Sequence, residues 1–529
     1  MIKDWQSLSL KEQIAQMIVV RASGYLYDHQ IRYPAWEASN DRLQQWLQEL
    51  NLGGVILLGG SSTELQKRTE QLQSWANIPL LIAADIEEGI GQRFPGGTWF
   101  PPPMALGAIY QQNPQLAQQY AADMGRITAL EAIAVGINWL LAPIVDVNNN
   151  SQNPVINIRA FGESPEVVSA LSSAFIQGAK SYPVLTTAKH FPGHGDTATD
   201  SHLELPSLPH DDARLAAIEL PPFQKAIAME VDSVMTAHLS IPAWDKNKPA
   251  TLSADIITGK LRQQLGFSGL VVTDALIMGG ITKYASPEEV AVMCVEAGSD
   301  ILLMPDDPQI AIASIYNAVM SGRINIKRIE ESLKRIWQTK NKVLDSSNIV
   351  SDLSSPQSRA TVNSILQDSL QTGNIPLISS NKEDLRNLIV VDDVLNASYL
   401  DLNAPAISIP AKLGYQRQIV DSNTMDCMLD SRPTLLQVFI RGNPFRGNAG
   451  LTTNTKQIYQ KLLNRGQVEG IIIYGSPYVS SWFKDLIDEK MPWVFSYGQM
   501  EQAQAIALKA LYNLNSDVYT SNSQSNFGF

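Results

Sequence analysis

Up to residue 305, short apolar runs bounded by turn residues alternate with longer stretches of helical period. The runs are Met17–Val20, Val55–Leu58, Leu80–Ala84, Trp139–Ala142, Val184–Ala188, Val234–Ala237, Leu270–Thr273 and Ile301–Met304. Between them, Leu116–Ala134, Ser164–Ala179, Asp211–Met229 and Pro287–Ala297 carry apolar residues at helical spacing. Ser164 followed by Pro165 predicts an N-cap with proline at the first helical position. Strands that alternate with helices need crossover connections, which makes the sheet parallel. Eight such units predict an α/β fold closed into a (β/α)8 TIM-like barrel rather than an open doubly wound sheet.

An amphipathic basic helix, Ile326–Leu344, ends this region, so residues 1–344 are predicted to form the barrel domain. Residues 345–361, rich in Ser and Asp, predict a linker. A second alternation follows, with strands Leu388–Val391, Leu435–Ile440, Gly470–Tyr474 and Trp493–Tyr497 and helices Thr455–Asn464, Ser481–Lys490 and Glu501–Asn513. It predicts a smaller α/β sandwich over residues 362–514. The Ser/Asn-rich end, 515–529, reads as a disordered tail.

Composition narrows the partners. The chain of 529 residues is 44% hydrophobic and 17% charged, ample core material for more than one domain. A net charge of −12 offers no basic field to draw in nucleic acid or an anionic membrane, and leaves a neutral small-molecule substrate open. Cys294 and Cys427 lie far apart without metal-ligand spacing and predict inert thiols. No apolar run reaches membrane length, and the start, Met1 to Ser7, lacks a signal-peptide core, so a cytoplasmic enzyme is expected. Nothing in the pattern sets an oligomeric state.

The strand ends carry the chemistry. Arg21, Asp85, Lys189 with His190, His238 and Asp274 each directly follow an apolar run. In a TIM barrel such positions converge on the carboxyl-end mouth. Five of the six histidines lie between 190 and 238, three of them within Lys189–His202. Pro192, Gly193 and Gly195 break any helix there, so His190 and His194 cannot share a helix face as a metal-binding pair does. A histidine titrates near neutrality and can both donate and accept a proton when a carboxylate orients its second nitrogen. Asp200 with His202 offers such a pair, and Asp196 with His194 is equally legal on spacing. Asp274, closing Leu270–Thr273, is a strand-mounted carboxylate placed to attack an anomeric carbon. Arg159 and Lys189 are candidate cations to keep it ionised.

Several segments together resemble a glycoside hydrolase family 3 β-N-acetylglucosaminidase of the two-domain branch. They are Gly-Gly-Val-Ile-Leu (53–57), Asp-Ile-Glu-Glu-Gly-Ile-Gly-Gln-Arg-Phe (85–94), Ala-Pro-Ile-Val-Asp-Val-Asn (142–148) and Pro-Val-Ile-Asn-Ile-Arg-Ala-Phe-Gly (154–162). Lys-His-Phe-Pro-Gly-His-Gly (189–195), Asp-Ser-His (200–202) and Val-Val-Thr-Asp-Ala-Leu (271–276) complete the set. The resemblance implies Asp274 as nucleophile, His202 as acid/base and Asp200 as its partner. It implies that Asp85, Arg93, Arg159, Lys189 and His190 hold the terminal sugar's hydroxyls, while His194 and Asp196 shape the loop. It implies no metal or organic cofactor. The Asp-Ser-His element favours N-acetylglucosaminides over β-glucosides, and turnover of cell-wall muropeptide fragments is the implied role. Alternatives are a phosphorylase acting on the same glycosides, a β-glucosidase-type member, and a non-catalytic sugar-binding protein. After the nucleophile, Ile277-Met278-Gly279-Gly280 stands where the family more often has Met and a charged residue.

Overall fold

The computed structural model describes residues 3–201, 203–344, 352–374, 384–392, 397–421, 424, 431–442 and 449–514. His202, Cys427 and the predicted tail lie outside these residues. The described residues fall into two compact units, one up to Val362 and one from Asn363.

The first unit is the predicted barrel. Its strands are β1 (Ile18–Ser23), β2 (Gly54–Leu58), β3 (Leu81–Ala84), β4 (Trp139–Leu140), β5 (Thr187–Phe191), β6 (Ser233–Thr236), β7 (Leu270–Thr273) and β8 (Leu302–Leu303). Five pair in the order β4-β3-β2-β1-β8 and three as β5-β6-β7, all parallel. Parallel bridges, Trp139 to Leu185 and Ile144 to Lys189 on one side and Val272 to Ile301 on the other, join the two groups and close the ring, and backbone hydrogen bonds such as Leu140 N–H to Leu185 and Thr273 N–H to Ile301 reinforce them. The strands are almost wholly buried because helices cover them outside and side chains fill the interior, which is why they read as continuous apolar runs. Trp139 illustrates the filling: its indole N–H reaches Thr187 Oγ1 at 2.9 Å and Ser233 Oγ at 3.0 Å inside the ring.

Local signals account for most helix limits. Ser164 caps the helix Pro165–Ala179 by accepting from the Val167 amide. The helix predicted over Asp211–Met229 is two, Asp212–Ala217 and Leu220–Ala228. Pro221 and Pro222 lack the N–H groups a continuous helix would need at that point. The predicted linker also gives way partly to structure, since a helix runs over Pro356–Asp368. Ser355 Oγ accepts from the Ser358 amide at 3.1 Å ahead of a proline at the first position, the cap signal seen at Ser164.

The second unit holds a six-stranded sheet. Its strands are β9 (Gln371–Gly373), β10 (Arg386–Val391), β11 (Gln416–Asp421), β12 (Thr434–Ile440), β13 (Val468–Gly475) and β14 (Trp493–Ser496). They run in the order β11-β10-β12-β13-β14-β9, with only the β14–β9 pair antiparallel. The four predicted strands are the four central ones. The two missed strands are the edges, where exposed polar residues break the apolar pattern. A helix over Pro405–Lys412 was also missed, and the helix predicted over Ser481–Lys490 lies at Pro477–Lys484, capped by Ser476.

Candidate active site

Asp85 directly follows β3 as expected, whereas β5 lies three residues further along than its predicted run, so Lys189 and His190 stand inside the strand rather than after it, and the fold pairs these charges. Lys189 Nζ, 1% exposed, lies 2.7 Å from Asp85 Oδ1 and 2.6 Å from Glu87 Oε1. Glu87 also takes two bonds from Arg159, at 2.6 and 2.9 Å. Burial would push the Glu87 carboxyl up, but Arg159 and Lys189 hold it well below the usual carboxylate range. Burial likewise works against the Lys189 ammonium, and Asp85 and Glu87 overcome it and raise its pKa. Arg93 Nε donates to the Asp85 carbonyl at 3.1 Å, tying the same segment to a third cation. Four of the predicted sugar-binding residues thus meet around Glu87 and Asp85.

His190 belongs to a second pairing. Its Nδ1 lies 2.8 Å from Asp146 Oδ2, and its own amide and that of His194 donate to the same carboxylate. Asp146 is fully buried; burial alone would raise its pKa, and His190 and His194 bring it below the usual value. With Nδ1 committed to Asp146, His190 has Nε2 for another partner.

The rival pair left open by spacing, His194 with Asp196, is not made. His194 Nδ1 meets Thr197 Oγ1 at 2.8 Å and Nε2 meets Ser201 Oγ at 2.9 Å. Burial pushes this imidazole down to about 4, so it is neutral near pH 7 and serves as a strut within the loop. Asp196 instead bonds His210 at 2.8 Å and Arg214 at 3.2 Å. Asp196, His210 and Glu219 come close enough to hold a metal ion. The guanidinium of Arg214, 2.8 Å from Glu219 and 3.2 Å from Asp196, already supplies a cation there.

The loop carrying Asp200 is fastened from several sides. Asn153 Nδ2 donates to the carbonyls of His194 and Gly195, at 2.7 and 2.9 Å. Gly195 packs so tightly that a Cβ would lie 1.7 Å from the Val147 carbonyl oxygen. Asp200 is 3% exposed, and its carbonyl accepts from the amides of Leu203 and Glu204. Asp274 follows β7; its amide donates to Thr236, and its Oδ1 accepts from the Ala275 amide at 2.7 Å. His238 supports this turn from behind, with Nε2 3.1 Å from the Ala275 carbonyl. The unusual Gly279-Gly280 joins the two loops: the Gly280 amide donates to Ser201 at 3.1 Å, where a Cβ would sit 2.8 Å from that oxygen. A larger residue there would push the segments of Asp200 and Asp274 apart.

Glu87 and Asp146 were missed as site residues although both lie in segments read for resemblance. Glu87 stands two residues past Asp85, in the turn after β3, beyond the reach of a rule that looks only at the next position. Asp146 stands four residues beyond its apolar run, outside the same rule.

Residues 9–339 match the N-terminal domain of glycosyl hydrolase family 3, and residues 378–513 match the bacterial C-terminal domain of that family. A β-hexosaminidase A of Pseudoalteromonas piscicida is 36% identical over 340 residues, 58% of this chain, which spans only 56% of that protein. A β-hexosaminidase of Nitrosomonas eutropha is 33% identical over 56% of this chain and 87% of its own length. Among solved structures, a family 3 β-N-acetylglucosaminidase from Paenibacillus sp. str. FPU-7 superposes with a TM-score of 0.78 at 28% identity, covering 96% of this chain and 98% of that one. The β-glucoside phosphorylase BglX, at 21% identity and a TM-score of 0.81 over 96% of this chain and 93% of its own, shares the fold. With both domains matched in order along one sequence, the chain belongs to glycosyl hydrolase family 3.

Proposed function

We propose that this chain is a retaining, exo-acting β-N-acetylglucosaminidase that releases terminal N-acetylglucosamine. The observation that carries the reading is the Gly280–Ser201 link, which ties the loop after strand-mounted Asp274 to the loop holding Asp200. The Asp274 carboxylate attacks the anomeric carbon as the glycosidic C–O bond breaks, and His202, oriented by Asp200, gives its proton to the leaving oxygen. Water then attacks the glycosyl-enzyme, its proton passes to His202, and Asp274 departs with net retention. Asp85, Arg93, Arg159, Lys189 and His190 hold the sugar's hydroxyls, prepaired so that little reorganisation accompanies binding. The β-hexosaminidase names of the relatives support N-acetylglucosamine as the sugar. The proposed natural bond is β-1,4 from N-acetylglucosamine to an anhydro-muramic sugar in cytoplasmic cell-wall fragments. Among the described residues, no helix is long and apolar enough to cross a membrane.

The test is turnover of matched aryl β-glycosides of glucose and N-acetylglucosamine, with phosphate varied. Preference for N-acetylglucosamine and release of free sugar are expected, whereas sugar 1-phosphate would mark a phosphorylase. Asp274→Asn should lose on the order of 10⁴-fold in kcat; near-normal turnover would remove it as the nucleophile.

A further inference from the structure

Between β1 and the helix Asn40–Gln45, residues 24–39 form a long loop with one short turn, Asp28–Gln30. Loops of this length are uncommon in compact domains unless they serve a function. This one is pinned at both ends by the buried Arg68. Its Nε donates to the Ser23 carbonyl at 2.9 Å and its NH1 to Asn40 Oδ1 at 2.8 Å. Asn40 in turn donates to the Leu26 carbonyl at 2.8 Å. The loop is therefore fixed, yet it turns large rings outward: Tyr33 is 48% and Trp36 47% exposed.

The two rings form one surface. Their centroids lie 6.0 Å apart with 21° between planes. The Arg21 guanidinium, from β1, packs on both, 4.8 Å from the Tyr33 centroid and 5.4 Å from that of Trp36. Arg21 is itself paired with buried Glu37 at 3.1 Å, so the support under the rings adds no net charge. Arg21 is also within electrostatic reach of Arg93, whose Nε holds the Asp85 carbonyl. The register Arg21 to Ile56 to Ala83 puts Arg21 two strands from the segment that carries Asp85, so the ring surface lies at the same end of the barrel as the charged floor.

An exposed, anchored and charge-neutral pair of near-parallel rings suits one ligand chemistry. A β-linked pyranose with equatorial substituents presents a face of axial C–H groups, whose positive edges pack on the negative face of a ring. Because the rings are held before any ligand arrives, little ordering cost opposes stacking. We infer that Tyr33 and Trp36 form a leaving-group subsite, on which the second, equatorially substituted sugar of the substrate stacks while the terminal sugar sits over Asp85 and Lys189. This rests on the glycosidase reading above.

The experiment compares N,N′-diacetylchitobiose with 2,2,2-trifluoroethyl β-N-acetylglucosaminide, whose aglycone is too small to stack. Tyr33→Ala and Trp36→Ala are each expected to lower kcat/KM for the disaccharide by about three- to tenfold, mainly through KM, and Trp36→Phe to restore most of it. The trifluoroethyl substrate should change by less than about twofold in every variant, since it forgoes the stack. Equal losses on both substrates, or none on the disaccharide, would overturn the subsite. If the unaltered enzyme hydrolyses neither substrate, the glycosidase reading fails instead. The subsite is then judged by calorimetric titration of chitotriose into the Asp274→Asn protein with and without Trp36→Ala: weaker binding without the indole supports it, and equal binding overturns it.

Discussion

Glu87 is a buried carboxylate shared by two cations, and neutralising it strands both. Glu87→Gln keeps the shape but leaves Arg159 and Lys189 competing for Asp85. A drop in kcat/KM on the order of 10²-fold is expected, most of it in KM, because positioning is lost while Asp274 is untouched. Steady-state kinetics on an aryl N-acetylglucosaminide checks this, and an unchanged KM would refute it. His194 gives a pH signature of a different kind. Its folded pKa of about 4 lies below the ordinary 6.5, so between those values the unfolded chain takes up a proton that the folded chain refuses. Stability from this group is complete above pH 6.5 and is lost as the pH falls toward 4, up to about 3 kcal/mol. Urea denaturation at pH 7 and pH 4.5 should show a smaller acid loss in His194→Gln than in the native protein. At this scale the sequence revealed which groups carry charge but not their partners. Spacing could not separate His194–Asp196 from His202–Asp200, because the choice depends on side-chain direction in a loop without period. Asp196 turned instead to His210 and to Arg214 of the following helix.

Elements were legible wherever burial was complete. Seven barrel strands and the four central strands of the second sheet appear as apolar runs, because parallel strands are covered on both faces, whereas β5, Thr187–Phe191, starts late in its run and carries Lys189 and His190 within it. Where burial is partial, as at β9 and β11, the pattern vanished. One end of the barrel also holds an arrangement that no local pattern announces. Asp300, fully buried just before β8, bonds the Val271 amide of β7 at 3.0 Å. It also pairs with Arg262 at 2.5 Å, Arg328 at 2.8 Å and Arg335 at 3.0 Å. Burial pushes its carboxyl up, and the arginines more than reverse that. Asp300→Asn leaves these cations without their shared anion and is expected to cost about 3–5 kcal/mol in chemical denaturation. Activity at low denaturant should persist, since this network stands at the opposite ends of the strands from Asp274. A loss of activity without a loss of stability would contradict that division.

Over the whole molecule, the alternation of runs and helices was enough to imply a closed parallel ring, since crossovers are right-handed and leave few alternatives. What could not be foreseen is that residues 24–39 build an aromatic shelf from a stretch with no periodicity. The charged floor has a consequence for the enzyme in solution. The ion-paired core of that floor, Asp85, Glu87, Lys189 and Arg159, is two anions and two cations in side-chain contact, so its own sum is zero, while Arg93 joins only through the Asp85 carbonyl. Dissolved ions screen net charge over a Debye length of about 10 Å at 0.1 M, and a balanced cluster gives them little to act on. The KM for an uncharged glycoside should therefore shift by less than about twofold as sodium chloride rises from about 20 mM to about 500 mM, and a steep dependence would mean that one of the four charges is unmatched. An enzyme built this way would keep its grip on a neutral sugar through wide swings in ionic strength.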